Sequence, residues 1–185
     1  MQKPMRDSFR DLQDRNPTRQ FTEELLKAGL VQVFQGLDYL HSERKIIHTG
    51  RKYSTRGLEK SELFSLTPCF SLSLSLPDIK ADNILTGIED RSILDTFVKA
   101  ELEQPSPRKF VNNLPVYASR RFERPKIFGD VVLSDFGSAV RGDIRRNHDA
   151  QPDVYRSPEV MLKIDWSYPI DIWNVGVMVC LILYN

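Results

Sequence analysis

The sequence of 185 residues has little of three features that mark whole classes of protein. It has two cysteines, Cys69 and Cys180, too few for a disulfide framework, so a reducing compartment is expected. Its net charge is +1, from 26 basic and 25 acidic side chains, which gives no electrostatic case for binding nucleic acid or a membrane surface. The longest apolar stretch, 170–184, is short for a membrane span and contains Asp171 and Asn174. Composition therefore predicts a soluble intracellular domain.

Hydrophobic periodicity predicts one long helix in the first quarter of the chain. Thr22 is a suitable N-cap, and apolar residues then recur at helical spacing up to residue 42. Short strands are expected at 46–48, 83–85 and 131–133, and the alternation of residues 70–76 also has the period of a strand. Further helices are expected at 93–102, after Ser157 and over 169–184, the last of them buried. The rest of 87–128, which carries four prolines, is expected to be irregular.

Three short segments carry the chemical signal. Asp78, Lys80 and Asn83 have the spacing D-x-K-x-x-N, Asp135-Phe136-Gly137 follows an apolar strand, and Ser157-Pro158-Glu159 comes 22 residues after Asp135. Each segment alone is weak evidence. In this order they resemble the C-terminal lobe of a eukaryotic protein kinase.

Two further segments add to the resemblance. His48-Thr49 precedes the first motif, and Asp171-Ile172-Trp173 lies in the last predicted helix. His-Thr in place of the more common His-Arg is similar to the SR-protein kinases. The resemblance implies a mainly helical α+β fold over 1–185 that corresponds to part of the large lobe. It also implies that the small lobe and the later helices are absent. The sign for the small lobe is that no G-x-G-x-x-G occurs among the nine glycines.

The resemblance also implies the roles of individual residues, because phosphoryl transfer needs an oriented hydroxyl and neutralised phosphate charge. Asp78 matches the catalytic aspartate that accepts the substrate proton, and Lys80 the catalytic lysine on the γ-phosphate of ATP. Asn83 and Asp135 match the ligands of Mg²⁺, and with Lys80 they form the cofactor-binding set. Each could instead be a solvated loop residue, and this reading is preferred for Asp82.

The three histidines and Asp171 are expected to have structural roles or no special role. The resemblance places His48 beneath the Asp-Phe-Gly turn and makes Asp171 a brace for the catalytic-loop backbone. His41 and His148 have no metal-ligand spacing and are expected at the surface.

The activation segment lacks the usual elements of phosphate control. Thr49 stands where most kinases have the arginine that binds a phosphate on this segment, and residues 139–154 contain no Ser, Thr or Tyr. We expect a full-length kinase of this sequence, made in bacteria, to be active without an upstream kinase.

Residues 50–77 interrupt the kinase motif. Removing these 28 residues (77 − 50 + 1) joins His48-Thr49 to Asp78-Ile79-Lys80 and restores His-Thr-Asp-x-Lys-x-x-Asn. Codon degeneracy allows the segment to be a retained intron of 84 nucleotides (3 × 28), with 70–77 encoded by a pyrimidine-rich tract. The alternative is a true insertion loop, and the genomic sequence distinguishes the two. In either case the placement of Asp78 is loosened, and catalysis is sensitive to shifts of about 1 Å.

The resemblance gives two functional hypotheses. The first is a serine/threonine protein kinase of SR-protein-kinase type that uses ATP and Mg²⁺ on protein substrates such as Arg/Ser-rich splicing factors, with weak or no activity in this chain. The second is a non-catalytic, pseudokinase-like fragment that binds a protein, or a non-functional gene-model product. A monomer that is cytoplasmic, nuclear or both is expected, with no nucleic-acid or membrane partner.

Overall fold

A computed structural model describes residues 5–49, 79–123 and 127–184 of the chain. The five helices in these ranges are α1 (Phe9–Arg15), α2 (Glu23–Ser42), α3 (Ser92–Glu103), α4 (Pro158–Met161) and α5 (Pro169–Tyr184). The six strands are β1 (Ile46–Ile47), β2 (Ile84–Thr86), β3 (Arg108–Val111), β4 (Leu114–Tyr117), β5 (Val131–Leu133) and β6 (Val140–Arg141). Single 3₁₀ turns form at Ala81–Asn83 and Asp153–Tyr155.

The first two helices begin where their capping residues predict. The Thr22 hydroxyl accepts the Leu25 amide hydrogen at the start of α2, which satisfies one of the free donors of the first turn. Ser8 and Asp11 form a reciprocal capping box on α1. The predicted helix at 22–42 is thereby confirmed.

The described strands form three antiparallel two-stranded ladders, β1 with β6, β2 with β5 and β3 with β4. In the central pair Ile84 lies opposite Leu133 and Thr86 opposite Val131. Backbone groups of Arg6 and Asp7 extend this pair on the other side of β2, through hydrogen bonds of 2.8 and 3.1 Å with Thr86. This register sets which residues meet at the end of β2.

The main core lies between α2, α5 and the segment that leads into β2. Val33 and Leu37 of α2 pack in one buried cluster with Met178 of α5 and with Ile79 and Ile84. A smaller cluster joins Ile47, Val160, Trp166 and Ile170. Burying apolar surface contributes about 25 cal/mol per Å², so these clusters hold the segments on either side of the candidate site.

Two expectations about 87–184 need correction. The segment expected to be irregular contains a helix, as predicted at 93–102, but also the hairpin β3–β4, whose turn residues Asn112 and Asn113 have φ of 49° and 63°. Asparagine tolerates these angles well, and they are the ones that a two-residue hairpin turn needs. Helix α5 forms as predicted, but it buries one face only, with Ile172 and Trp173 exposed.

The strand predicted at 70–76 lies outside the described residues. Within the described ranges, no helix has both the length and the apolar character needed to cross a membrane.

Candidate active site

The candidate active site lies where β2 begins and β5 ends. The residue before β2 is Asn83, and its carbonyl oxygen accepts the amide hydrogen and the hydroxyl of Ser134, both at 2.9 Å. Asp135 follows Ser134 directly. The antiparallel pairing therefore brings Asn83 and Asp135, which are 52 positions (135 − 83) apart in the sequence, to the same end of this ladder.

Asp135 has a backbone conformation that few residues adopt. Its φ is 62°, in the left-handed region, where aspartate and asparagine are enriched among residues other than glycine. Its Oδ1 accepts the amide hydrogen of Gly137 at 3.4 Å. The carboxylate is thus held at the turn that follows β5, half-buried.

Lys80 immediately precedes the 3₁₀ turn before β2, and Asn83 is the last residue of that turn. The Lys80 carbonyl accepts the Asn83 amide hydrogen at 2.9 Å; Asn83 is buried and Lys80 is half-buried. The Asp82 side chain is exposed, in agreement with its reading as a solvated residue. Asp78 lies outside the described residues, so its assignment as the catalytic aspartate stays a prediction.

His48 lies under the Asp135 turn, as predicted. Its ring centroid is 4.9 Å from that of Phe136, and its Nε2 is 3.0 Å from the Ser134 carbonyl oxygen. The side chain is fully buried. A histidine that hydrogen-bonds a backbone carbonyl while its ring packs on an aromatic ring fixes the turn from two directions.

Asp171 braces the backbone at His48, again as predicted. Its Oδ2 accepts the His48 amide hydrogen at 2.8 Å and its Oδ1 that of Thr49 at 3.3 Å. His41 Nε2 lies 2.9 Å from Oδ2. A buried carboxylate is costly unless it is hydrogen-bonded, and here all three partners lie in the segment 41–49. We call His48, Thr49, Asp171 and residues 134–138 the His48 corner.

The site end of β2 has a donor set that suits a divalent cation. Mg²⁺ takes oxygen ligands and is commonly held by one or two carboxylates together with substrate phosphates. Asn83 and Asp135 provide an amide oxygen and a carboxylate at one end of the ladder. In the described ranges no group of three His, Cys, Asp or Glu side chains that could hold a metal ion is found.

Comparison with known proteins relates the chain to protein kinases. The chain is 36% identical over 162 residues to a serine/threonine protein kinase of Aspergillus fumigatus, a match that covers 85% of this chain and 30% of that kinase. It is 28% identical over 123 residues to the probable serine/threonine-protein kinase clkA of Dictyostelium discoideum, covering 65% of this chain and 12% of the relative. The chain is homologous to protein kinases.

Mouse dual specificity protein kinase CLK1 is a further relative of the chain. It is 31% identical over 106 residues, 57% of this chain and 18% of CLK1. The chain spans about 30% of the length of the Aspergillus relatives. No protein-family model matches the chain.

The fold of the kinase homologue agrees with this relationship. A crystal structure of a kinase domain superposes with a TM-score of 0.55 and 18% identity, covering 97% of this chain and 40% of that one. At this identity the likeness concerns the fold alone. It supports the expected partial kinase fold, partly helical with few strands.

Sequence reasoning misplaced two histidines of the kinase homologue. His41 and His148 were expected at the surface, but the His41 ring is largely buried against Asp171, and His148 packs edge-on against Trp166 with its centroid 5.0 Å away. For His41 a signal was present, since it lies four residues after buried Leu37 on the same face of α2.

Gln151 has a structural role that the sequence did not reveal. This fully buried side chain donates from Nε2 to the Ile170 carbonyl at 2.9 Å and to Asn174 Oδ1 at 2.7 Å. Its Oε1 accepts the Ser157 amide hydrogen at 2.9 Å. Gln151 thus ties the segment before α4 to α5. No spacing rule distinguishes it from an exposed loop glutamine.

Proposed function

We propose that this chain carries part of the active site of a serine/threonine protein kinase. The observation that supports the proposal most is that Asn83 and Asp135 lie at the same end of the β2–β5 ladder, where His48 and Asp171 hold the adjoining backbone. The sequence motifs and the kinase relatives agree with it.

The roles follow from the chemistry of phosphoryl transfer. Bound magnesium-ATP supplies the phosphoryl group and neutralises its charge. Asn83 and Asp135 would hold the cation, and Lys80 would contact the phosphates. Asp78 would accept the proton of a substrate Ser or Thr hydroxyl. The hydroxyl oxygen then bonds to the γ-phosphorus, and the bond between that phosphorus and the ADP oxygen breaks.

The finer proposal concerns the substrate. We infer Arg/Ser-rich proteins as substrates of the whole kinase because His48-Thr49 joins Asp78 in the SR-protein-kinase pattern once residues 50–77 are set aside. A monomer distributed between nucleus and cytoplasm fits such substrates. This chain by itself is expected to have weak or no activity.

Nucleotide binding tests the site directly. We expect the 185-residue chain to bind ATP weakly and only with Mg²⁺, as measured by isothermal titration calorimetry. Asp135→Asn should weaken this binding about tenfold or more, since it removes a charged metal ligand. Asp82→Asn is the matched control in the same motif, and its binding should equal that of the unchanged chain. Binding that ignores Mg²⁺, or that Asp135→Asn leaves intact, would argue against the kinase site.

Deleting residues 50–77 separates the insertion from the rest of the site. If the segment interrupts a catalytic loop, the shortened chain should bind magnesium-ATP more tightly, because Asp78 and Lys80 then follow Thr49 as in the family motif. Equal binding by both chains would favour a true loop of the family. Tight binding by the unshortened chain would contradict the expected inactivity.

The second candidate function is non-catalytic protein binding. Exposed apolar side chains on the β3–β4 hairpin and around α4 favour it, namely Phe110, Leu114, Tyr117, Met161 and Leu162. Absence of any magnesium-dependent ATP binding by the chain, with the fold intact, would favour this candidate over the kinase site.

A further inference from the structure

Thr49 adopts a strained backbone conformation at the His48 corner. Its φ is 43°, in the left-handed region that a β-branched residue rarely enters. Strain of this kind persists only where surrounding contacts hold it, and such outliers cluster at functional sites. The conformation therefore calls for a reason at Thr49 itself.

The contacts of Thr49 provide that reason. Its amide hydrogen is donated to Asp171 Oδ1 at 3.3 Å, while its hydroxyl donates to the Ser138 carbonyl oxygen at 2.5 Å. The residue is almost fully buried. One side chain thus joins the braced backbone after β1 to the residue that follows Asp135-Phe136-Gly137.

Other contacts at this turn fix different atoms. His48 Nε2 lies at the Ser134 carbonyl, one residue before Asp135, and the Ala139 amide hydrogen closes the turn on the Phe136 carbonyl at 3.1 Å. The Thr49 hydroxyl instead reaches the far end of the turn, where it donates to the Ser138 carbonyl. The Ser138 hydroxyl itself has no hydrogen-bond partner in those ranges, so the contact depends on the backbone carbonyl.

We propose that Thr49 is a positioning residue whose hydroxyl, through the Ser138 carbonyl, holds residues 135–138 in place. That the turn so held binds a cation rests on the proposed kinase function. The contact itself does not.

Amide hydrogen exchange measured by NMR on the 185-residue chain without nucleotide tests the contact. Thr49→Val keeps the shape and the β-branch but removes the donor. We expect exchange of the Ala139 amide to become about tenfold faster, because a buried hydrogen bond is lost and the carbonyl is left unpaired. Thr49→Ser keeps the hydroxyl and should restore exchange to within about twofold of the unchanged chain.

Two control variants separate this contact from general loss of stability. Thr86→Val removes a hydroxyl that is equally buried and donates to the Asp7 carbonyl at 2.9 Å, so it should leave Ala139 unchanged. Ser138→Ala removes the unpartnered hydroxyl but keeps the carbonyl, and should also leave Ala139 unchanged.

The proposal is overturned if Thr49→Val leaves Ala139 exchange unchanged, if Thr49→Ser fails to restore it, or if Thr86→Val has the same effect. An equal rise at Val33 in α2 would also overturn it, since the hydroxyl would then support the whole fold rather than the turn. Failure of the kinase proposal is seen separately, as absence of magnesium-dependent ATP binding in the unchanged chain.

Discussion

The His48 corner and the β3–β4 hairpin differ in how deeply their side chains are buried and in how far apart in the sequence their contacting residues lie. In the corner, His48 and Asp171 are fully buried, and their hydrogen bonds join residues 86 and 123 positions apart. In the hairpin, Arg108 lies over the rings of Phe110 and Tyr117, 5.7 and 6.0 Å from their centroids, and all eight strand residues are exposed. The hairpin is organised by local contacts, whereas the corner needs the whole fold.

The largest expected effect comes from making the same substitution in the main core, which supports the candidate site, and in the hairpin. Phe9 is 1% exposed and packs in the core that holds Ile79 and Ile84 before and after the candidate lysine, whereas Phe110 is 65% exposed. Phe9→Ala should lower the free energy of unfolding by about 3–5 kcal/mol, through lost burial and a cavity. Phe110→Ala should lower it by less than about 1 kcal/mol. Urea unfolding measures both, and equal losses would break the contrast.

A smaller effect is expected from the brace of the His48 corner. Asp171→Asn keeps the shape but replaces one acceptor oxygen by an NH₂ group facing donors, so it should lower the free energy of unfolding by about 2–3 kcal/mol. Asp95→Asn on exposed α3 is the matched control, with an expected change within about 0.5 kcal/mol. Comparable unfolding midpoints for the two variants would show that the buried carboxylate is not a structural brace.

The smallest effect is a pH dependence from His148, which packs on Trp166 beside the smaller core. Burial, and then the charge of Arg146, lower the pKa of His148 below 6.5. The unfolded chain then takes up the proton more readily, so stability is full above pH 6.5 and is lost as the pH falls through the folded-state pKa. His148→Gln should flatten this dependence.

Thermal unfolding at about pH 5.5 and about pH 7.5 measures the His148 effect. From the higher to the lower pH, the melting temperature of the unchanged chain should fall further than that of His148→Gln. An equal loss would assign the pH dependence to other groups.

The outcome of sequence reasoning depended on how local each signal was. The helix Glu23–Ser42 was predictable because its cap and its apolar spacing lie within one segment. The hairpin was missed because Asn112-Asn113 is a weaker turn signal than Asn-Gly, and Pro115 in β4 argued against a strand. Pro115 is accommodated because this two-stranded ladder has open edges.

The site shows the same division. The motif residues Lys80, Asn83 and Asp135 could be selected from the sequence, because the chemistry restricts their type and order. The partners of His41 and Gln151 could not be selected in this way. His41 bonds to Asp171, which is 130 positions away, and Gln151 bonds to residues up to 23 positions away. Such contacts carry no periodicity within their own segment.

The sequence by itself determined the kinase resemblance, the near-neutral charge and the main helices, because residue type, order and spacing are properties of the chain. Only the tertiary structure decided that the β2–β5 register brings Asn83 to Asp135, that Asp171 holds His48 and Thr49, and that the Thr49 hydroxyl reaches Ser138. These contacts exist because packing of α2 and α5 fixes distant backbone segments within hydrogen-bonding distance.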